Sequence, residues 1–324
     1  MQPDASSSTA PSEEGSTTTP SAQATTPPGT SSIPSHTSSA PRTISTGHLY
    51  QPNVTSPQRV RRSVSGVNRL STELSAPDIA AALGPDSVLV LPTGALEQHG
   101  PHLPVATDLI IAEAMAERTV AEYGDELDLW LLPPLAYTKS DEHAWSAGTF
   151  WLSASTLTAV LTDIGRSVAT TPARRLAFLN GHGGNSALLQ VANRELRREF
   201  GLRTFTLHPD VPPDQGGASP ADELGMGVHG GTEETSLMLH LRPDLVDLDR
   251  AERWVPEHLA EYRHLRFGGS VSFGWLSDDF GPSGVLGDPT AATAERGKER
   301  AERSVEYLGA AFGEVARFDP APPA

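Results

Sequence analysis

From about residue 71 onward, short continuous apolar runs alternate with longer stretches in which apolar residues recur every three or four positions. The runs at 87–91 (SVLVL), 129–132 (LWLL), 176–179 (LAFL) and 204–207 (TFTL) are too short for helices. The first two stop at Pro92 and at Pro133-Pro134; all four predict strands, those at 87–91 and 176–179 buried. Ile110, Ile111, Ala114 and Met115 mark a helix over 109–123. Further helices are predicted over 155–169, 186–200, 233–241 and 293–312, and a short strand over 149–152. Strand, loop and helix repeated in this order imply an α/β protein with a mostly parallel sheet covered on both faces. Ligands of such sheets gather beyond the carboxyl ends of the strands. No fixed repeat period is visible, which argues against a solenoid.

Composition divides the chain. Residues 1–70 are dominated by Ser, Thr, Pro and Ala. Such a segment buries too little apolar surface to offset its conformational entropy, so a disordered tail is expected there, with a single domain over 71–318 and a short disordered end at 319–324. The tail reads as a solvated extension or as a start placed too far upstream; Arg59, Arg61 and Arg62 would serve a partner-binding arm. Five Arg and three acidic residues give the first 70 positions +2, so the remainder carries −18 of the formal −16. An acidic body repels phosphate backbones and anionic lipid, so neither nucleic acid nor a membrane is an expected partner. With no apolar run of membrane-spanning length and no secretory pattern, a cytoplasmic location is expected. The chain has no cysteine, so a metal would have to be held by His, Asp or Glu.

Four polar segments carry candidate chemistry. Glu97-Gln98-His99 lies just past the first strand and alternates, so Glu97 and His99 point the same way in an extended segment. Asp108 opens the next helix and would face a cation or merely cap the helix. His182, in Asn180-Gly181-His182-Gly183-Gly184-Asn185, sits between a strand and a helix, where glycines let the backbone turn sharply. In His229-Gly230-Gly231-Thr232-Glu233-Glu234, a helix begins near the glutamate pair. One glutamate would point inward and the other, about 100° around the helix, outward; capping by Thr232 is the plainer alternative. Ser140, Glu142 and His143 belong to a polar loop able to line a pocket. Carboxylate with imidazole suits zinc, manganese or iron(II).

In combination, LPTGALEQHGPHLPVATD, LAFLNGHGGN, VHGGTEETSLMLHLRPDLVDLD and GDPTAAT, in this order, resemble the creatininase (creatinine amidohydrolase) family over about residues 71–315. The resemblance implies a three-layer α/β/α sandwich, one or two divalent cations with zinc first among them, and a homo-oligomer, commonly a hexamer. It implies metal ligation by Glu97, His99, Asp108 and His182, with Asp108 as a bridging carboxylate. It further implies that Glu234 belongs to the site as a ligand or catalytic group and that His229 handles protons. Ser140, Glu142, His143 and Gly183 would contact substrate. Two departures stand out. Gly183 and Gly184 occupy positions that hold a tyrosine and a metal-binding glutamate in creatininase, and Gly225 occupies that of a tryptophan.

The implied activity is hydrolysis of an amide-type C–N bond by a metal-bound hydroxide, with His229 protonating the leaving nitrogen. Creatinine, a formamidopyrimidine or a precursor peptide are the alternative substrates, since relatives with the NGHGGN form act on other amides. A two-metal phosphohydrolase and a metal-binding scaffold without turnover are the rival readings. The first is disfavoured by the acidic body and by core motifs without Lys or Arg.

Overall fold

The computed structural model describes residues 69–321, apart from 216, 218 and 219. The disorder expected for the tail therefore falls outside the described residues up to position 68, as does the end from 322.

Among the described residues, the sheet has four parallel strands: β1 (Val88–Thr93), β2 (Leu129–Leu131), β3 (Arg175–Asn180) and β4 (Arg203–Leu207), in the order β2-β1-β3-β4. Val88 pairs with both Leu129 and Arg175, and Arg175 with Arg203, so the strands start level. The four predicted strands are these. Side-chain alternation sends Val88 and Val90 to one face and Leu89 and Leu91 to the other. On the first face pack α2 (Thr107–Leu127), α5 (Thr232–Leu241) and α6 (Ala294–Arg317), with Met115, Met238 and Phe312 fully buried. On the second pack α3 (Ala154–Ala169) and α4 (Ser186–Phe200), with Leu157, Leu161 and Leu189 against Phe178. The result is the three-layer α/β/α sandwich.

Two elements differ from the sequence reading. The short helix α1 (Ala76–Ala82), capped by Ser75, was not predicted. The stretch 149–152 is no strand. Phe150 and Leu152 donate one hydrogen bond each, to the carbonyls of Leu96 and Thr138, and so brace two loops rather than extend a ladder.

Crossovers run from the carboxyl ends of β1 and β3 into α2 and α4, so their loops gather on one rim. Gly94 sets the geometry there. A β-carbon on Gly94 would lie 2.5 Å from the Cα of Leu109, so only glycine lets the end of β1 touch the start of α2. That contact fixes the position of Asp108.

Candidate metal centre

The rim is built from four segments. Beyond β1 the chain is tied down by Glu97 N–H donating to the Val105 carbonyl (2.9 Å). Glu97 and His99 are both fully buried and turned inward, as alternation requires. Asp108, the second residue of α2, is not a cap: the N-cap is Ala106, which makes no side-chain cap bond. Beyond β3, Asn180 holds the glycine turn, its amide donating to the His182 carbonyl (2.7 Å) and its Oδ1 accepting from His182 N–H (3.3 Å). Asn185 closes the turn by donating to the Gly94 carbonyl (3.1 Å), locking the β1 and β3 loops together. At the start of α5 the two glutamates separate as anticipated. Glu233 pairs outward with Arg296 and Arg300, while Glu234 accepts from Gly230 N–H at 2.6 Å and faces the site. Thr232 is not the cap; Gly231 holds that position, and the Thr232 hydroxyl donates to the Asp288 carbonyl at 2.6 Å.

These side chains converge. His99 Nε2 lies 3.0 Å from Asp108 Oδ1 and 3.9 Å from Glu234 Oε2. His182 Nδ1 lies 3.0 Å from Asp108 Oδ2 and 3.3 Å from Glu97 Oε1. Each oxygen of Asp108 therefore addresses a different imidazole. His143 Nε2 and His229 Nδ1 approach Glu97 Oε1 to 3.5 and 3.6 Å. Yet both oxygens of Glu97, and Oδ2 of Asp108, are buried without a hydrogen-bond donor. Isolated buried carboxylate oxygens are costly unless a cation compensates them. Ligand atoms fall within 4.8 Å of one another in three sets: Glu97, His99 and His229; Glu97, Glu142 and His182; and His99, Asp108 and Glu234. The donor set fits a hard or borderline divalent cation bound through oxygen and imidazole nitrogen.

Titration follows the crowding. Burial pushes the Glu97 and Glu234 carboxyls up to about 7. Burial also opposes charge on His99, but Asp108 beside it outweighs this and raises the imidazole to about 10. Asp108 is held well below the usual carboxylate range by His99 and His182, against the effect of burial. Burial, reinforced by the His99 charge, takes His143 down to about 3 and lowers His229 well below its ordinary value. His229 is therefore neutral at pH 7. Its Nε2–H donates to the Gln98 carbonyl (2.6 Å), which leaves Nδ1 with its lone pair toward the site.

A cavity of about 610 Å³ opens over this centre, with Glu142, His143 and Gly183 on its wall. Ser140 is fully buried and outside that lining; its carbonyl accepts from His143 N–H at 3.0 Å. Three features escaped the sequence reading. Gln98, which alternation points away from the site, donates to His143 Nδ1 (2.8 Å). Lys139 lines the cavity and pairs with Glu142 (2.9 Å). The far wall is aromatic, with Phe267, Phe273 and Trp275 packed on one another or on Phe280. Only Lys139, next to the polar loop already singled out, carried a usable signal.

A cluster of carboxylates and imidazoles at the carboxyl rim of a parallel sheet, under an open cavity, is fitted to hold a divalent cation within reach of a ligand. The family model for creatininase, described as creatinine amidohydrolase, matches residues 72–312, and the chain belongs to this family of hydrolases acting on carbon–nitrogen bonds. It is 38% identical to the mycofactocin precursor peptide peptidase of Mycobacterium ulcerans (strain Agy99), over 72% of this chain and 86% of that protein. It is 38% identical to the creatinine amidohydrolase of Pseudomonas putida, over 55% of this chain and 73% of that enzyme. Solved creatininase structures, one of a manganese form and one of a mutant of Zn–Zn type, are each 29% identical over 78% of this chain and all of theirs, with TM-scores of 0.59 and 0.60.

Proposed function

We propose that this chain is a metal-dependent peptidase of the creatininase family that cleaves an amide bond of a precursor peptide. In this reading Glu97, His99, Asp108, His182 and Glu234 hold zinc or manganese. The orphaned oxygens of Glu97 and Asp108, fully enclosed among imidazoles, carry the reading. Asp108, with one oxygen beside His99 and the other beside His182, would act with both imidazoles to hold one or two such ions.

A divalent cation held there would supply a water acidified toward neutrality and a Lewis acid for the scissile carbonyl. His229, neutral and with Nδ1 open toward the site, takes a proton and returns it to the leaving nitrogen. Such transfer is worth roughly 10²–10⁴ in rate. Gln98 keeps His229 in this tautomer and orients His143. Glu234, fixed by Gly230 N–H, stands where it can ligate or steer a proton. His143 and Gly183 contact substrate from the cavity wall, and Ser140 supports His143 through its carbonyl.

For the substrate, similarity to the mycofactocin precursor peptidase is joined by the size of the cavity, about 610 Å³ with an aromatic far wall, which suits peptide side chains. Creatinine is the second reading, favoured by the family description and by the Pseudomonas putida relative. Against it, Gly225 stands where creatininase carries a tryptophan, so no side chain from this position covers a small flat ligand. The test sets precursor peptides followed by mass spectrometry against creatinine turnover, each before and after exhaustive chelation. Peptide cleavage abolished by chelation and restored by zinc or manganese is expected. Creatinine turnover without peptide cleavage would select the second reading, and full activity after chelation would end both.

The cytoplasmic homo-oligomer belongs to the same proposal. Among the described residues no helix is long and apolar enough to cross a membrane. Tyr137, Phe150 and Trp151 are exposed aromatic side chains available for self-association, which light scattering would measure.

A further inference from the structure

Glu142 lies beside the cation-binding residues without facing them in the same way. Its carboxylate is largely buried, 13% exposed, and is held by Lys139 Nζ at 2.9 Å. Lys139 in turn pairs with Asp141 at 2.7 Å. The turn carrying Glu142 is braced from behind: Ser277 Oγ donates to the Glu142 carbonyl (3.2 Å) and accepts from Trp145 Nε1 (2.7 Å). This is a rigid mounting for one carboxylate.

What it addresses is the outer edge of His182. Nδ1 of that ring looks toward the donor-free oxygens of Glu97 and Asp108, at 3.3 and 3.0 Å. Nε2, on the opposite side, lies 2.8 Å from the Lys139 carbonyl and 3.5 Å from Glu142 Oε1. A proton on Nε2 donating to that carbonyl leaves the Nδ1 lone pair for a cation. A metal-binding imidazole is commonly oriented by such a partner on its other nitrogen.

The glycine turn makes room for this arrangement. A β-carbon on Gly184 would stand 2.0 Å from Glu142 Oε1 and 2.4 Å from His182 Nε2, whereas one on Gly183 would meet nothing within 4 Å. Of the two adjacent glycines, only Gly184 is demanded by space. We propose that Glu142 is a positioning residue for His182, standing with the Lys139 carbonyl against the imidazole edge opposite the cation, and that the absent side chain at Gly184 leaves room for both. The inference rests on the proposed cation at this site and names a residue that governs how tightly it is held.

The test is zinc binding to the full chain, measured by competition with a chromophoric chelator and by zinc content at saturation, with thermal melting to verify folding. Glu142→Ala should weaken zinc by roughly 10–100-fold while reaching the same stoichiometry as the unaltered protein. Glu142→Gln, which keeps an oxygen for the imidazole edge, should recover most of that loss. Unchanged zinc affinity in Glu142→Ala overturns the proposal. So does a Glu142→Gln variant as weak as the alanine variant, or a loss of stoichiometry, since either would make Glu142 a ligand in its own right. Failure of the unaltered protein to bind zinc or manganese would instead overturn the functional reading beneath it.

Discussion

The two ends of the same four strands treat their carboxylates in opposite ways. At the amino end, Asp128 accepts from Ser87 Oγ (2.6 Å), Trp130 Nε1 (2.9 Å) and Arg69 Nη1 (3.0 Å), and Arg175 at the head of β3 reaches Asp86 at 2.7 Å. Each carboxylate there has found its donors within the protein. At the carboxyl end, both Glu97 oxygens and Asp108 Oδ2 are more deeply enclosed and yet lack them. Carboxylates paired inside the chain and open to solvent serve the fold; carboxylate oxygens left unpaired at full burial suit a ligand from outside.

The comparison is broken most severely at the carboxyl rim. His182→Ala should cost zinc affinity more than the roughly 100-fold expected of a residue that only supports a ligand, and should remove activity with it. Metal analysis alongside a peptide assay measures both, and unaltered metal content would show that this rim is not a cation site. His229→Ala sharpens the division within the rim. Turnover should fall by roughly 10²–10⁴ while bound zinc stays constant; loss of zinc would make it a ligand instead.

The smallest effect is expected at the other end. Asp128→Ala should lower stability by about 1–2 kcal/mol, toward the low side because the side chain is 45% exposed, and leave zinc binding untouched. The Asp128 carboxyl lies below its ordinary value; burial acts to raise it, but its bonds to Ser87, Trp130 and Arg69 outweigh that. A carboxyl lowered by folding contributes fully above its unfolded pKa, near about 3.9, and loses that contribution as pH falls through the folded value. Melting temperatures of variant and parent should therefore differ at pH 6 and converge in acid. A gap that widened in acid would contradict the assignment.

How much of this was legible in the sequence follows from the range of the interactions. β1, β2 and β3 are buried on both faces and were visible as apolar runs, while the half-buried β4 showed as Thr alternating with Phe205 and Leu207. The seven-residue α1 was too short to show a period, and 149–152 has strand-like residues that serve as single-bond braces. Six residues of the centre were legible because the turns that present them are local: Glu97 with His99, Asp108, His182, and His229 with Glu234. Contacts across the fold were not. Gln98 reaches His143 over 45 positions, and the approach of Glu142 to His182 depends on a space at Gly184 that no local pattern announces.

The inward groups at this rim are strung along the chain from Glu97 to Glu234, on segments far apart in sequence. An ion seated among them would act as a clasp, tying the loop after β1, the head of α2, the β3 turn and the head of α5 into one knot. At a free concentration one hundred times its dissociation constant, such an ion adds about 2.7 kcal/mol to the folded state. Starving the protein of metal would thus loosen its architecture as well as silence its chemistry, and the catalytic rim would be the first part of the sandwich to fray.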